Sequence, residues 1–381
     1  MLVRSQPGAP AQPWPAPFEA TPCVACRSAP VHKDDSVNRF ARGIACCILG
    51  ALGLLTACEG DRPESLITSA KGYIAKRDYK AAAIQLKTAL QKEPNSSEAR
   101  FLLGSVLLDA GDATSAIVEL RKAIALNHPR AQVIPVLARA MLLKGQLQPL
   151  ATEFAATDLG DGAATADLKT SLALAYARQG KGKEAQAALE SALRSSPTSA
   201  RARSLQARFK AEAGDFDGAL ALLNEILAKA PDNVDAWQLK GDLLYVVKKD
   251  VAGALDAHRN ALKARPDLVA SHASILSILV TQKDLAGAKR QLDDLKKVAP
   301  NHLETKYFEA ELALLNNDFK TAKEISQQLL KVAPENVKIL QLAGAVEYQS
   351  GSILQAKHLL GRALQIAPNM AATRRLLARA Y

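Results

Sequence analysis

The chain has 381 residues and a net charge of +11, with 48% hydrophobic but only 4% aromatic residues. Its basic residues are scattered and do not interleave with aromatics, which argues against a nucleic-acid partner; solvated helix faces account for the excess, with weak contact to anionic lipid or an acidic polymer as the alternative. All five cysteines (Cys23, Cys26, Cys46, Cys47, Cys58) lie at or before position 58, so no disulfide framework is expected beyond it.

In chain order, residues 1–36 are rich in Pro and Ala and read as a disordered leader or as a misassigned start, since Val37 can be encoded by a GTG initiation codon. Cys23 and Cys26 have CxxC spacing but no second ligand pair, so the spacing is read as coincidence. Residues 37–57 read as a signal peptide. Arg39 and Arg42 precede an uncharged, mostly apolar run from Gly43 to Leu55, too short to span a bilayer. No twin-arginine pair is present, which favours the general secretory route. Leu55, Thr56, Ala57 and Cys58 resemble the bacterial lipobox. That resemblance implies cleavage before Cys58, acylation of its sulfur and amine, and anchoring to a membrane on the periplasmic side, with 58–62 as a short tether. Two acyl chains hold firmly, each buried methylene contributing about 0.8 kcal/mol. Glu59 stands where an Asp would favour inner-membrane retention, so the outer membrane is the expected location.

From residue 63 to 370 the sequence is periodic. Ala82, Ala116, Ala151, Ala185, Ala219, Ala254, Ala288, Ala322 and Ala356 recur every 34 or 35 residues. Pro94, Pro129, Pro197, Pro231, Pro266, Pro300, Pro334 and Pro368 keep the same step, with one proline missing between Pro129 and Pro197. Such a period marks one small unit stacked many times. In the last complete unit Leu340, Ala343, Gly344 and Val346 form one helical stripe, Gly351 makes the turn, and Ile353, Ala356, Leu360, Ala363 and Leu364 form a second. Pro368 closes it, lacking the amide a helix would need to continue. Asp78, Asp112, Asp215, Asp250, Asp284 and Asp318 stand before the second helix, where a carboxylate caps free amides and meets the positive end of the helix dipole.

These residues resemble the tetratricopeptide repeat. Trp237, Gly241, Tyr245, Ala254 and Ala261 follow its pattern, as do Leu103, Gly104, Leu107, Ala116, Leu120 and Ala123. The resemblance implies an all-α, right-handed superhelical solenoid of about nine hairpins. Residues 131–163 are degenerate, with Pro135, Pro149 and no closing proline, and are expected to form a looser joint or a local bend. Residues 371–381 read as a partial terminal helix, either the start of a truncated unit or a meagre cap.

The first units, directly behind the lipobox, look like the tetratricopeptide lipoproteins of the PEP-CTERM/exosortase system, which accompanies exopolysaccharide biosynthesis. The specific signature is the odd third unit: His128 and Pro129 lead to Val133, Pro135, Val136, Leu137, Ala138, Arg139 and Ala140, then Leu143 and Gly145.

No catalytic set emerges. His128, His258, His272, His302 and His358 fall in separate units, and Asp293 and Asp294 point about 100° apart on a helix. No cofactor or metal is expected. The expected function is therefore binding of other proteins through the concave groove lined by first helices. Its candidate residues are Phe101, Ser105, Thr170, Arg201, Arg208, Gln238, Asp242, Tyr245, Tyr307, Glu311, Gln341 and Tyr348. The Lys/Asn pairs with which chaperone-adaptor repeats clamp a peptide carboxylate are absent, so that mode is rejected. The setting implied is a lipid-anchored scaffold for exopolysaccharide assembly or export and for sorting of associated surface proteins. A general envelope-assembly lipoprotein and a cytosolic peptide-binding adaptor are the alternatives.

Overall fold

The computed structural model describes residues 62–381. The leader, the signal peptide, the lipobox residues Leu55, Thr56 and Ala57, and Cys58 lie outside the described residues.

The described chain is a stack of nine helical hairpins with no strand. α1 (Pro63–Ala75) pairs with α2 (Tyr79–Lys92), α3 (Ser97–Asp109) with α4 (Ala113–Ala125), α5 (Arg130–Lys144) with α6 (Leu147–Phe154), and α7 (Gly162–Arg178) with α8 (Gly182–Ser195). α9 (Ala200–Glu212) pairs with α10 (Phe216–Lys229), α11 (Val234–Leu243) with α12 (Val251–Ala264), and α13 (Val269–Thr281) with α14 (Leu285–Val298). α15 (Leu303–Leu315) pairs with α16 (Phe319–Val332) and α17 (Val337–Gln349) with α18 (Ile353–Ile366), followed by α19 (Ala371–Ala380). Among the described residues no helix is long and apolar enough to cross a membrane.

Each hairpin is built by the same local chemistry. All nine alanines of the ladder are buried between paired helices. Opposite them, a small residue on the first helix meets a larger one on the second. A Cβ placed on Gly104 would lie 2.6 Å from Leu120, and one on Gly344 would lie 2.7 Å from Leu360. The turn between the helices needs one residue with positive φ, and it falls at Arg77, Gly111, Gly145, Gly180, Gly214, Lys249, Lys283, Asn317 and Gly351. The next residue caps the second helix. Asp78, Asp112, Asp215, Asp250, Asp284 and Asp318 each accept the amide three residues on, at 2.8–3.1 Å.

The degenerate unit, expected to form a looser joint or a local bend, is closely packed. α6 is short, yet this region holds the largest apolar cluster, with Ile134, Leu137, Met141 and Leu150 fully buried. Pro149 sits in the first turn of α6, where its missing amide costs nothing, and Pro135 is buried inside α5. Ile353, expected on the buried stripe of α18, is instead exposed, and Leu359 is buried.

The units curve until the first meets the sixth. Arg77, in the turn of the first hairpin, donates to the carbonyl of Ala264 at 3.0 Å, across 187 residues of sequence.

Candidate functional site

First helices line a row of grooves. Between α7, α9 and α11 lies one of about 490 Å³, walled by Thr170, Leu174, Arg178, Arg201, Arg208 and Phe209. Its arginines are largely committed to the fold. Arg201 donates to the Asp167 carbonyl at 2.7 Å and to Ser171 Oγ at 3.1 Å, and Arg178 donates to the Leu142 carbonyl at 3.1 Å. Burial lowers the Arg201 pKa, with Asp167 opposing the shift. Ser204 Oγ, buried in the same groove, has no hydrogen-bond partner.

The larger groove, about 850 Å³, runs from α11 across α13 and α15 to α17. Asp242, Tyr245, Tyr307, Glu311, Lys338 and Gln341 supply its polar walls. Tyr307 Oη donates to Glu311 Oε1 at 3.3 Å, and its ring meets Phe308 edge-on at 5.3 Å. Burial raises the pKa of Glu311, and burial followed by the neighbouring Glu311 carboxylate raises that of the Tyr307 phenol. Asp242 is also raised by burial although its side chain keeps 60% of its surface, because that surface opens into the groove rather than to bulk solvent. His258, on α12, contributes a fully buried imidazole whose pKa burial depresses to about 4.

Residues 67–131 and 176–243 each match the tetratricopeptide repeat family. The chain has the fold of a tetratricopeptide-repeat solenoid. No curated protein matches it. A chain of the APC/C hetero-tetramer Cut9–Hcn1 superposes with a TM-score of 0.56 at 13% identity, over 90% of this chain and 82% of that one. A tetratricopeptide repeat protein from Parabacteroides merdae gives 0.45 at 18% identity, over 75% and 98%. The structure from a functional study of Pseudomonas aeruginosa pilF gives 0.40 at 18% identity, over 67% and 97%. The Cut9–Hcn1 likeness bears on the fold alone. Tetratricopeptide-repeat proteins in general are scaffolds for protein–protein interaction.

Within this tetratricopeptide-repeat solenoid, the residues expected in the concave groove separate into three sets. Thr170, Arg201 and Arg208 meet in the smaller groove, and Asp242, Tyr245, Tyr307, Glu311 and Gln341 in the larger. Thr170 is fully buried, donating to the Ala166 carbonyl at 2.6 Å. Phe101 stacks on His128 at 4.7 Å, and Ser105 donates to the Phe101 carbonyl at 3.0 Å, so both belong to packing in the second unit. Gln238 and Tyr348 line neither groove.

Sequence reasoning missed His258. It occupies the second-helix position filled by Leu120, Leu223 and Leu360 in other units, and a Cβ on Gly241 would lie 2.7 Å from its Nε2. An imidazole in a column that is mostly leucine was the available signal. Of the remaining histidines, His272 is buried, its Nε2 donating to the Pro266 carbonyl and its Nδ1 accepting from Gln291 Nε2, and His302 caps α15. Among the described residues no group of three or more His, Cys, Asp or Glu side chains could hold a metal ion.

Proposed function

We propose that this chain is a non-enzymatic scaffold that holds a partner protein in its concave grooves. The observation carrying this reading is the row of first-helix grooves, partly apolar, whose buried polar groups include Ser204 Oγ and His258 Nδ1 with no internal partner. A groove of 850 Å³ with a few convergent polar groups has the dimensions and chemistry of a binding site.

The sequence ahead of the solenoid supplies the setting. The lipobox-like Leu55–Cys58 segment supports a lipid-anchored protein on the periplasmic side, at the outer membrane, and the odd third unit supports a place in exopolysaccharide biosynthesis or export and PEP-CTERM protein sorting. Contact with an acidic polysaccharide is a weaker extension, resting on net +9 beyond Cys58. Intact mass of the membrane-extracted protein from a Gram-negative host, beside Cys58→Ala, tests the anchor. A chain beginning at Cys58 with acyl mass, absent from the variant, is the expected result. An unprocessed soluble chain would favour the cytosolic adaptor, and the same anchor without exosortase or glycosyltransferase gene neighbours would favour general envelope assembly.

A further inference from the structure

The larger groove is chemically lopsided. Its floor is α13, Val269–Thr281, which carries no Asp, Glu, Lys or Arg and presents Ala270, Ala273, Ser274 and Ser277. Small side chains there leave room for a backbone to lie close. Rising beside that floor are three carboxylates, Asp242, Glu304 and Glu311, against the single lysine Lys338. Tyr245 and Tyr307 add aromatic faces, which attract a cation through the ring quadrupole.

A second observation is independent of the acidic residues. His258 is 1% exposed and lines the groove, yet its Nδ1 has no hydrogen-bond partner. With burial holding the ring neutral and Nε2 3.6 Å from Asp242 Oδ1, Nδ1 is left as a bare acceptor. A buried acceptor without a donor costs roughly 1–3 kcal/mol, and this one is held in a residue that lines the groove.

We propose that the groove from α11 to α17 docks an extended segment of a partner protein that carries lysine or arginine among small apolar residues. The proposal rests on the scaffold reading and adds the partner's chemistry. The apolar floor takes the neighbouring side chains, while Asp242, Glu304 and Glu311 receive the cation. Asp242 and Glu311, which burial holds above the ordinary carboxylate pKa, are stabilised as anions by that charge. A free small cation would use only the walls and leave the floor across α13 uncovered, which is why the occupant is a chain segment.

The test uses the purified full chain and pools of acetylated octapeptides, random except for Arg, Lys, Gln or Glu fixed at the fourth position. The Arg and Lys pools are retained about tenfold more than the Glu pool, a difference of about 1.4 kcal/mol. High salt weakens the preference. The double substitution Glu304→Gln, Glu311→Gln abolishes it without lowering the unfolding temperature. Equal retention of all pools, preference for Glu, or no retention overturns the proposal, as does N-acetylarginine amide binding as tightly as the Arg pool. The scaffold reading fails separately: a photo-crosslinking amino acid at Ser277 captures no partner in cells, whatever the peptide pools do.

Discussion

At the scale of single residues, the nine inter-helix turns all place one residue at positive φ, and glycine fills only some of them. Lys283, with φ +60, is exposed and adopts a backbone that an L-residue resists by about 1–2 kcal/mol. Lys283→Gly is therefore expected to stabilise the protein by about 1 kcal/mol, read as a raised midpoint in urea unfolding; a lowered midpoint would mean that the lysine side chain contributes more than the backbone strain. The alanine ladder gives the opposite case. Ala219 is fully buried between α9 and α10 partners, so Ala219→Leu overpacks the hairpin and costs roughly 1–3 kcal/mol. Both the ladder and the Asp caps were legible in the sequence because backbone geometry and close packing admit few residue types there. Caps of the first helices obey the same logic: Ser96, Ser199, Asn233 and Asn336 stand two residues after Pro94, Pro197, Pro231 and Pro334, and each accepts an amide of its helix.

His258 sets a pH dependence. Its folded pKa of about 4 lies below the ordinary 6.5, so the unfolded chain takes up this proton first as pH falls. Stability is therefore full above about pH 6.5 and declines toward pH 4, by about 3 kcal/mol on the constant of 1.36 kcal/mol per pKa unit. The Asp242 carboxylate, 3.6 Å from Nε2, does not cancel this, because burial alone sets the direction of the His258 shift. His258→Leu restores the residue found in neighbouring units and is expected to flatten urea-unfolding midpoints across that window. A slope equal to that of the parent would contradict the assignment.

At the scale of elements, the spacing itself carries structure. The step from Ala219 to Ala254 is 35 residues, and α11 continues into a π-turn at Leu244–Lys248 before Lys249 turns the chain. A π-turn is the usual way for a helix to absorb one inserted residue, and such turns concentrate at functional sites. Here it carries Tyr245 into the larger groove. The degenerate unit shows where sequence patterning misleads. Losing the repeat's proline and lengthening the apolar run of α5 removed the familiar motif, but Val133, Ile134, Leu137 and Met141 supply burial in its place. Ion pairs join half-buried partners on successive helices, within a unit for Arg100–Glu119 (2.6 Å) and between units for Lys323–Glu347 (2.8 Å). The groove was only partly legible for a related reason. Helical phase says which residues face inward, as for Tyr307 and Glu311, but not which of them pack against a neighbour, as Phe101 does on His128.

At the scale of the whole solenoid, local curvature adds up to a long-range contact that no periodicity announces. Arg77 reaches Ala264, and Asp109 lies in the field of Arg77, Arg139 and Arg265, three cations that oppose the rise in its pKa caused by burial. Exposed polar contacts of this kind contribute little each and are weakened by salt. Arg77→Ala, and salt of about 0.5 M on the parent, are both expected to open the curve and enlarge the radius of gyration in small-angle scattering. Unchanged scattering in both would show that packing between adjacent units fixes the curvature unaided.

Partner binding on the concave face is the central claim, and cross-linking in cells tests it most directly. A photo-crosslinking amino acid is placed at Ser277, exposed on the groove floor, or at Val332, which is 76% exposed on the second helix α16. The account predicts a discrete cross-linked species from Ser277, absent from Val332 and lost when Ser274→Trp fills the groove. Equal products from both positions, or none from Ser277, would contradict it.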